Sequence, residues 1–179
     1  MLESNATADG PQAQESDFLD AAMRKVDSVI GERLASRVAL IDQISQYIVS
    51  AGGKRIRPRL VLLFAEAFRF SGHARYELAA TVEFIHTATL LHDDVVDESS
   101  LRRGRSTANS IFGNAASVLV GDFLYSRAFQ MMVSLNHLRV LDVLAEATNT
   151  IAEGEVLQLM NMHDPDLAVD EYLRVIRFK

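Results

Sequence analysis

Residues 84–91, FIHTATLL, are apolar enough to require burial, and the chain runs from them directly into His92, Asp93, Asp94 and, after two valines, Asp97. On a helix advancing about 100° per residue, with Asp93 at zero, Asp97 falls near about 40° and Asp94 near about 100°. Three carboxylates therefore crowd one side of one turn. Like charges at this spacing repel, and acids that follow an apolar stretch are costly to bury unpaired. The fold must bury one helix up to its last turn and bring positive charge to its end.

A hard divalent cation with oxygen ligands relieves such repulsion. Mg²⁺ fits, because it is commonly held by one or two carboxylates plus substrate phosphates. A few residues on, Arg102 and Arg103 add permanent positive charge with a planar fork of donors suited to phosphate. Acids and arginines together read as a site for a metal-bound polyphosphate. The bland alternative is a solvated acidic helix end followed by a basic loop.

The rest of the chain predicts helices. Hydrophobic residues make up 49% of its 179 residues, with only three prolines and nine glycines, a composition that suits one ordinary all-α domain. Residues 1–16 are polar and read as a flexible arm. From residue 17 onward, Leu19, Met23, Val26, Ile30, Leu34, Val38 and Ile41 form an apolar stripe at steps of three and four, broken near Gly31 or Ala35. A second stripe, Ile41, Ile44 and Ile48, ends at Gly52 and Gly53, where glycine can close a helix. Pro58 belongs in the first turn of the next helix. Lys54 and Arg57 then lie in a loop entering a helix N-terminus, where amides and dipole favour an anion. Arg55 and Arg59 read as surface residues.

Further helices are predicted at about 59–70, 75–98, 109–114, 115–135, 138–162 and 169–179, with connectors at 71–73 and 99–107 and a turn at 163–166. His86 lies about 20° from Asp93 on the same wheel, on the side that carries the acids. His92 is given no role. Asp122, in VLVGDFLYS, reads as a buried, partnered acid without chemistry. Glu153, Glu155 and Gln158 are a weak signal for a cavity mouth or for bonds between helices.

Other functions are disfavoured. A net charge of −6 argues against a general nucleic-acid binder. The chain has no cysteine, so thiolate metal sites and thiol nucleophiles are excluded. No apolar run approaches the roughly 18–20 residues of a membrane span. The opening residues lack the pattern of a secretion or transit signal, which leaves the cytoplasm as the expected location.

LLHDDVVDESSLRRGRSTAN, together with GGKRIRP upstream, resembles the trans-polyprenyl diphosphate synthases, over about residues 45–179. The resemblance implies an isoprenoid synthase-type helical bundle around a central cavity. It also implies a Mg²⁺-dependent prenyltransferase that adds isopentenyl diphosphate to an allylic diphosphate, giving a long-chain all-trans product for a quinone side chain. By that resemblance Asp93, Asp94 and Asp97 hold metal, and Lys54, Arg57, His86 and Arg103 hold isopentenyl diphosphate. Arg102 and Lys179 contact the allylic diphosphate, with Arg102 assisting catalysis. Ala88 and Thr89 stand where shorter-chain relatives carry bulky aromatics, so small residues there imply a deep product cavity. A homodimer and peripheral contact with a bilayer through the lipid product are also implied.

The family carries a second aspartate-rich segment, and nothing after Asp97 repeats the DDxxD spacing. The expectation is an N-terminal portion, residues 17–179, of a bundle incomplete at its C-terminus and inactive alone. A terpene cyclase shares the acidic helix but does not need GGKRIRP. A non-catalytic regulatory subunit does not need the intact acids and arginines.

Overall fold

The computed structural model of the chain describes the backbone of residues 11–50 and 52–179, and the side chains from residue 17 onward within them. The described chain is helical apart from one short hairpin. It divides into two compact units, Met1–Leu135 and Asn136–Lys179.

The first unit opens with α1 (Pro11–Leu34), followed by α2 (Ala39–Ser50), α3 (Ile56–Ala67) and α4 (Ala74–Val96). A hairpin of β1 (Leu101–Arg102) and β2 (Arg105–Ser106) leads to α5 (Ala108–Phe112) and α6 (Asn114–Ser134). The first ten residues of the expected arm lie outside the described residues, and residues 11–16 already belong to α1. The break between α1 and α2 falls at Ala35, where Ser36 donates its backbone N–H to the Asp42 carboxylate at 3.0 Å. That carboxylate sits in the first turn of α2, the end at which negative charge is favoured.

Helix α4 is the centre of this unit. It packs against α1, α3, α5 and, most extensively, α6. Ala79, Ala80 and Ala88 of α4 are fully buried, in one core cluster with Leu124, Ala128 and Met131 of α6. Polar bonds support the α4–α6 seam. Ser117 donates to the Leu91 carbonyl at 3.2 Å, and His92 Nε2 lies 3.3 Å from Asp122. Asp122 is therefore partnered as expected but exposed, with its side chain 63% accessible; the apolar residues beside it in sequence hide the helix face it occupies.

The end of α4 is closed by a left-handed cap. Glu98 has φ 49°, Glu98 N–H reaches the Val95 carbonyl, and Ser99 N–H reaches the Asp94 carbonyl at 2.9 Å. This is the double bond pattern that normally calls for glycine. Asp97 is thus the capping residue and not part of the regular helix, so its wheel angle holds only approximately.

The hairpin lies inside what the sequence reads as a loop. Leu101 pairs with Ser106 and Arg102 with Arg105, around Arg103 at φ 54° and Gly104 at φ 76°. Positive φ at both central residues is the two-residue turn whose twist matches antiparallel strands. Six residues of LRRGRS show no apolar alternation, so strand periodicity is silent there.

The second unit pairs α7 (Leu138–Met160) with α8 (Val169–Phe178). A Cβ on Gly154 would lie 2.9 Å from the backbone carbon of Phe178, so the end of α8 can rest on α7 only at a residue without a side chain. Lys179 then meets Glu155 at 2.9 Å and Gln158 at 2.6 Å, which gives the weak EGEVLQ signal a structural role. Among the described residues no helix is long and apolar enough to cross a membrane.

Candidate functional site

One face of α4, Glu83, His86, Thr87, Leu90 and Asp94, forms the wall of a cleft of about 770 Å³ in the first unit. The end of α2, residues 52–57 and the hairpin complete it. Six cationic side chains line it: Lys54, Arg55, Arg57, Arg102, Arg103 and Arg105. Only Glu83 and Asp94 oppose them, and each is already paired with an arginine. A chain of net charge −6 thus gathers a surplus of positive charge in one concave place.

The α2–α3 turn places the first cations. Residues 52–55 lie outside any regular helix, and Arg55 takes a left-handed conformation with φ 47° as the N-cap of α3, its carbonyl accepting from Arg59 N–H at 3.1 Å. Such backbone costs a non-glycine residue about 1–2 kcal/mol. Its guanidinium is held by Glu83 at 3.0 Å, with both side chains largely buried. Arg55 is therefore not the surface residue expected from sequence; the αL turn carries it inward. Arg59 is, pairing loosely with Asp20 at 3.5 Å.

Arg57 Nη1 lies 3.1 Å from His86 Nε2. A guanidinium can only donate, so His86 accepts at Nε2 and is the neutral tautomer with its proton on Nδ1. Burial, and then the charges of Arg57, Arg102 and Arg103, push the imidazole pKa down to about 4. His86 stays neutral at physiological pH and orients Arg57 without adding a positive charge.

The acidic end differs from the wheel reading. Asp94 is buried, and its two oxygens accept from Arg102: Nε at 3.0 and 3.3 Å, Nη2 at 2.8 Å. This fork uses both the acid expected to bind metal and the arginine expected to bind substrate. Both line the cleft, whereas Asp93 and Asp97 do not. The cleft-facing stripe of α4 centres on Asp94, about a quarter turn from Asp93. Among the described residues no three acidic or histidine side chains stand as a metal-holding group.

Asp94 is thus engaged by Arg102, and its acidic neighbours in the motif are Asp93 and Asp97. They sit one turn apart, joined by the Asp97 N–H to Asp93 carbonyl bond at 2.7 Å. Carboxylate oxygens at a helix C-terminus, where the dipole disfavours negative charge, suit a hard divalent cation that takes its other ligands from substrate phosphate and water.

Ala88 is fully buried in the core, Thr89 donates to the His86 carbonyl at 2.8 Å, and neither lines the cleft. The deep cavity expected at these two positions is not part of this cleft, because they lie on other sides of α4. Lys179 belongs to the second unit, held by Glu155 and Gln158.

Sequence reasoning passed over Tyr47, Gly53 and Arg105. Arg103 Nη1 donates to the Gly52 carbonyl at 3.1 Å, Arg105 Nη1 to the Ser50 carbonyl at 3.1 Å, and the Tyr47 hydroxyl to the Ser106 carbonyl at 2.5 Å. Gly53 was legible only as a helix end. A Cβ there would stand 2.6 Å from Arg103 Nη1, so the glycine also makes room for that guanidinium.

This helical frame, with a basic cleft beside an acidic helix end, matches known proteins over most of its length. The polyprenyl synthetase family model matches residues 38–179, and the chain belongs to that family. It is 62% identical over 157 residues to octaprenyl diphosphate synthase of Escherichia coli strain K12, covering 88% of this chain and 49% of that enzyme. Among solved structures, a decaprenyl diphosphate synthase from Rhodobacter capsulatus is similar with TM-score 0.87 and 48% identity, over 94% of this chain and 52% of that one. A polyprenyl synthase from Caulobacter crescentus CB15, complexed with calcium and isoprenyl diphosphate, gives TM-score 0.88 and 48% identity, over 92% of this chain and 50% of that one. The isoprenoid synthase fold expected from the sequence is therefore present. The chain spans about half the length of the relatives it matches.

Proposed function

We propose that this chain forms the N-terminal part of a long-chain all-trans polyprenyl diphosphate synthase and holds isopentenyl diphosphate in the basic cleft. The convergence of Lys54, Arg57, His86 and Arg103 on one cleft carries the reading. Their donors match a diphosphate, and the neutral His86 fixes Arg57 toward it. Relatives named for octaprenyl and decaprenyl products support the long chain and a quinone side chain as its destination.

In this reading Asp93 and Asp97 hold Mg²⁺, which when bound neutralises the allylic diphosphate and makes it a better leaving group. Arg102 fixes Asp94 and keeps the end of α4 in place. The cleft's cations orient isopentenyl diphosphate so that its double bond attacks the allylic carbon as the carbon–oxygen bond breaks. A proton then passes to the released pyrophosphate. Tight positioning and exclusion of water protect the allylic cation, and no protein nucleophile is needed. Lys179 is assigned to the allylic diphosphate, and residues 17–179 to a single synthase domain. Homodimeric assembly in the cytoplasm, with peripheral bilayer contact through the product, belongs to the same reading.

Calorimetric titration of the chain with isopentenyl diphosphate in EDTA tests the cleft. Saturable binding is expected, weakened about 100-fold in Arg57→Ala, because a charge-assisted bidentate contact and its His86 support are lost together. Absence of binding, or binding indifferent to Arg57→Ala and Lys54→Ala, overturns the reading.

A further inference from the structure

Three bonds tie the hairpin to the end of α2 and the turn after it. The Tyr47 hydroxyl donates to the Ser106 carbonyl, Arg105 donates to the Ser50 carbonyl, and Arg103 donates to the Gly52 carbonyl. The Arg105 guanidinium also lies over the Tyr47 ring, 5.5 Å from its centroid, and Phe112 meets Tyr47 edge-on, with ring centroids 5.8 Å apart. Two segments more than fifty residues apart in sequence are thereby fastened along one rim of the cleft. Arg103, itself one of these fastenings, sits in a left-handed turn that leaves its backbone little choice.

We infer that Tyr47, Arg105 and Gly53 are positioning residues that act through Arg103, setting its guanidinium against residues 52–54 so that it and Lys54 face one diphosphate. The inference rests on the anion-binding reading of the cleft. Tyr47 and Arg105 fix β2, and through the two-residue turn fix where Arg103 begins. Gly53 fixes where it ends, since any side chain there would occupy the space of Nη1. The hydroxyl, the stacked ring and the missing Cβ act on one cation. A phosphate-binding arginine on a free hairpin would have to be ordered at each binding event, and this arrangement orders it beforehand.

Gly53→Ala is the sharpest probe. The atom its Cβ meets is the far end of a flexible side chain, so Arg103 yields while the turn keeps its shape. Affinity for inorganic pyrophosphate in EDTA should fall about tenfold in Gly53→Ala and about fivefold in Tyr47→Phe, the scale of one lost hydrogen bond. The melting temperature should stay within about 2 °C of wild type, as for other mild surface changes. In an Arg103→Ala background both substitutions should have no further effect, whereas in a Lys54→Ala background each keeps its full factor. Equal losses with and without Arg103, or no loss in the wild-type background, overturn the inference.

Should the unsubstituted chain fail to bind pyrophosphate, the proposed function falls, and amide exchange of residues 101–106 decides the positioning role separately. Tyr47→Phe that speeds their exchange several-fold supports it. Unchanged exchange overturns it.

Discussion

The two helix ends beside the cleft are electrostatic opposites with the same peculiarity. Helix α3 starts among Lys54, Arg55 and Arg57, and α4 stops among Asp93, Asp94 and Asp97. Cations at an N-terminus and acids at a C-terminus are each the charge that the helix dipole disfavours, by about 0.3–1 kcal/mol apiece at exposed positions. Arg55 is neutralised inside the protein by Glu83, and Asp94 by Arg102. A charge placed against the dipole and left near solvent lowers stability, and a ligand of opposite sign restores it. Arg55 and Asp94, each closed in an ion pair within the fold, are in that sense structural charges.

Substitutions at the acidic end break or sharpen that contrast. The largest effect is expected at Asp94, where Asp94→Ala strips a buried fork and leaves Arg102 without its partner. About 2–3 kcal/mol of stability should be lost in denaturant unfolding, toward the lower range for broken buried pairs because Arg102 is partly exposed. Asp97→Asn should do the opposite, raising stability by about 0.5 kcal/mol through relief at the helix end. It should also abolish any rise in melting temperature produced by Mg²⁺ with pyrophosphate. If both acids behave alike, the contrast fails.

At the basic end the test is pH. The folded His86 pKa of about 4 lies below its ordinary 6.5, so between those values the unfolded chain binds a proton that the folded chain refuses. The stability tied to a neutral His86 is complete above about pH 6.5 and is lost as pH falls toward 4. His86→Gln should flatten that part of the stability profile. An effect as small as that of Asp97→Asn is expected at Glu98, the left-handed residue that follows the acidic cluster. Glu98→Gly should gain about 0.5–1 kcal/mol by removing backbone strain, measured as a shift of the urea midpoint with Asp94 intact.

Much of the frame could be read from the sequence because burial leaves a period. The stripes before Gly52, the turn at Gly52–Pro58 and the acid-tipped α4 all declared themselves through apolar spacing or glycine and proline. Partnerships left no such trace. Nothing in HDDVVDESSLRRGR shows that Asp94 will take Arg102 while Arg103 turns to Gly52, because the hairpin that sends the two arginines apart is too short for strand periodicity. Asp122 misled for a related reason: apolar neighbours in sequence occupy other faces of α6. Gly53 carries two meanings, chain turn and space for a guanidinium, and only the first shows in the sequence.

The two-residue turn at Arg103 and Gly104 also behaves as a ruler. Arg102 is the last residue of one strand and reaches the acidic helix, while Arg103 is the first residue beyond it and reaches the opposite bank. The length of that turn fixes the gap between the two poles. Surface hairpins usually accept an extra residue without complaint, but lengthening this one would put the cleft's two banks out of gauge.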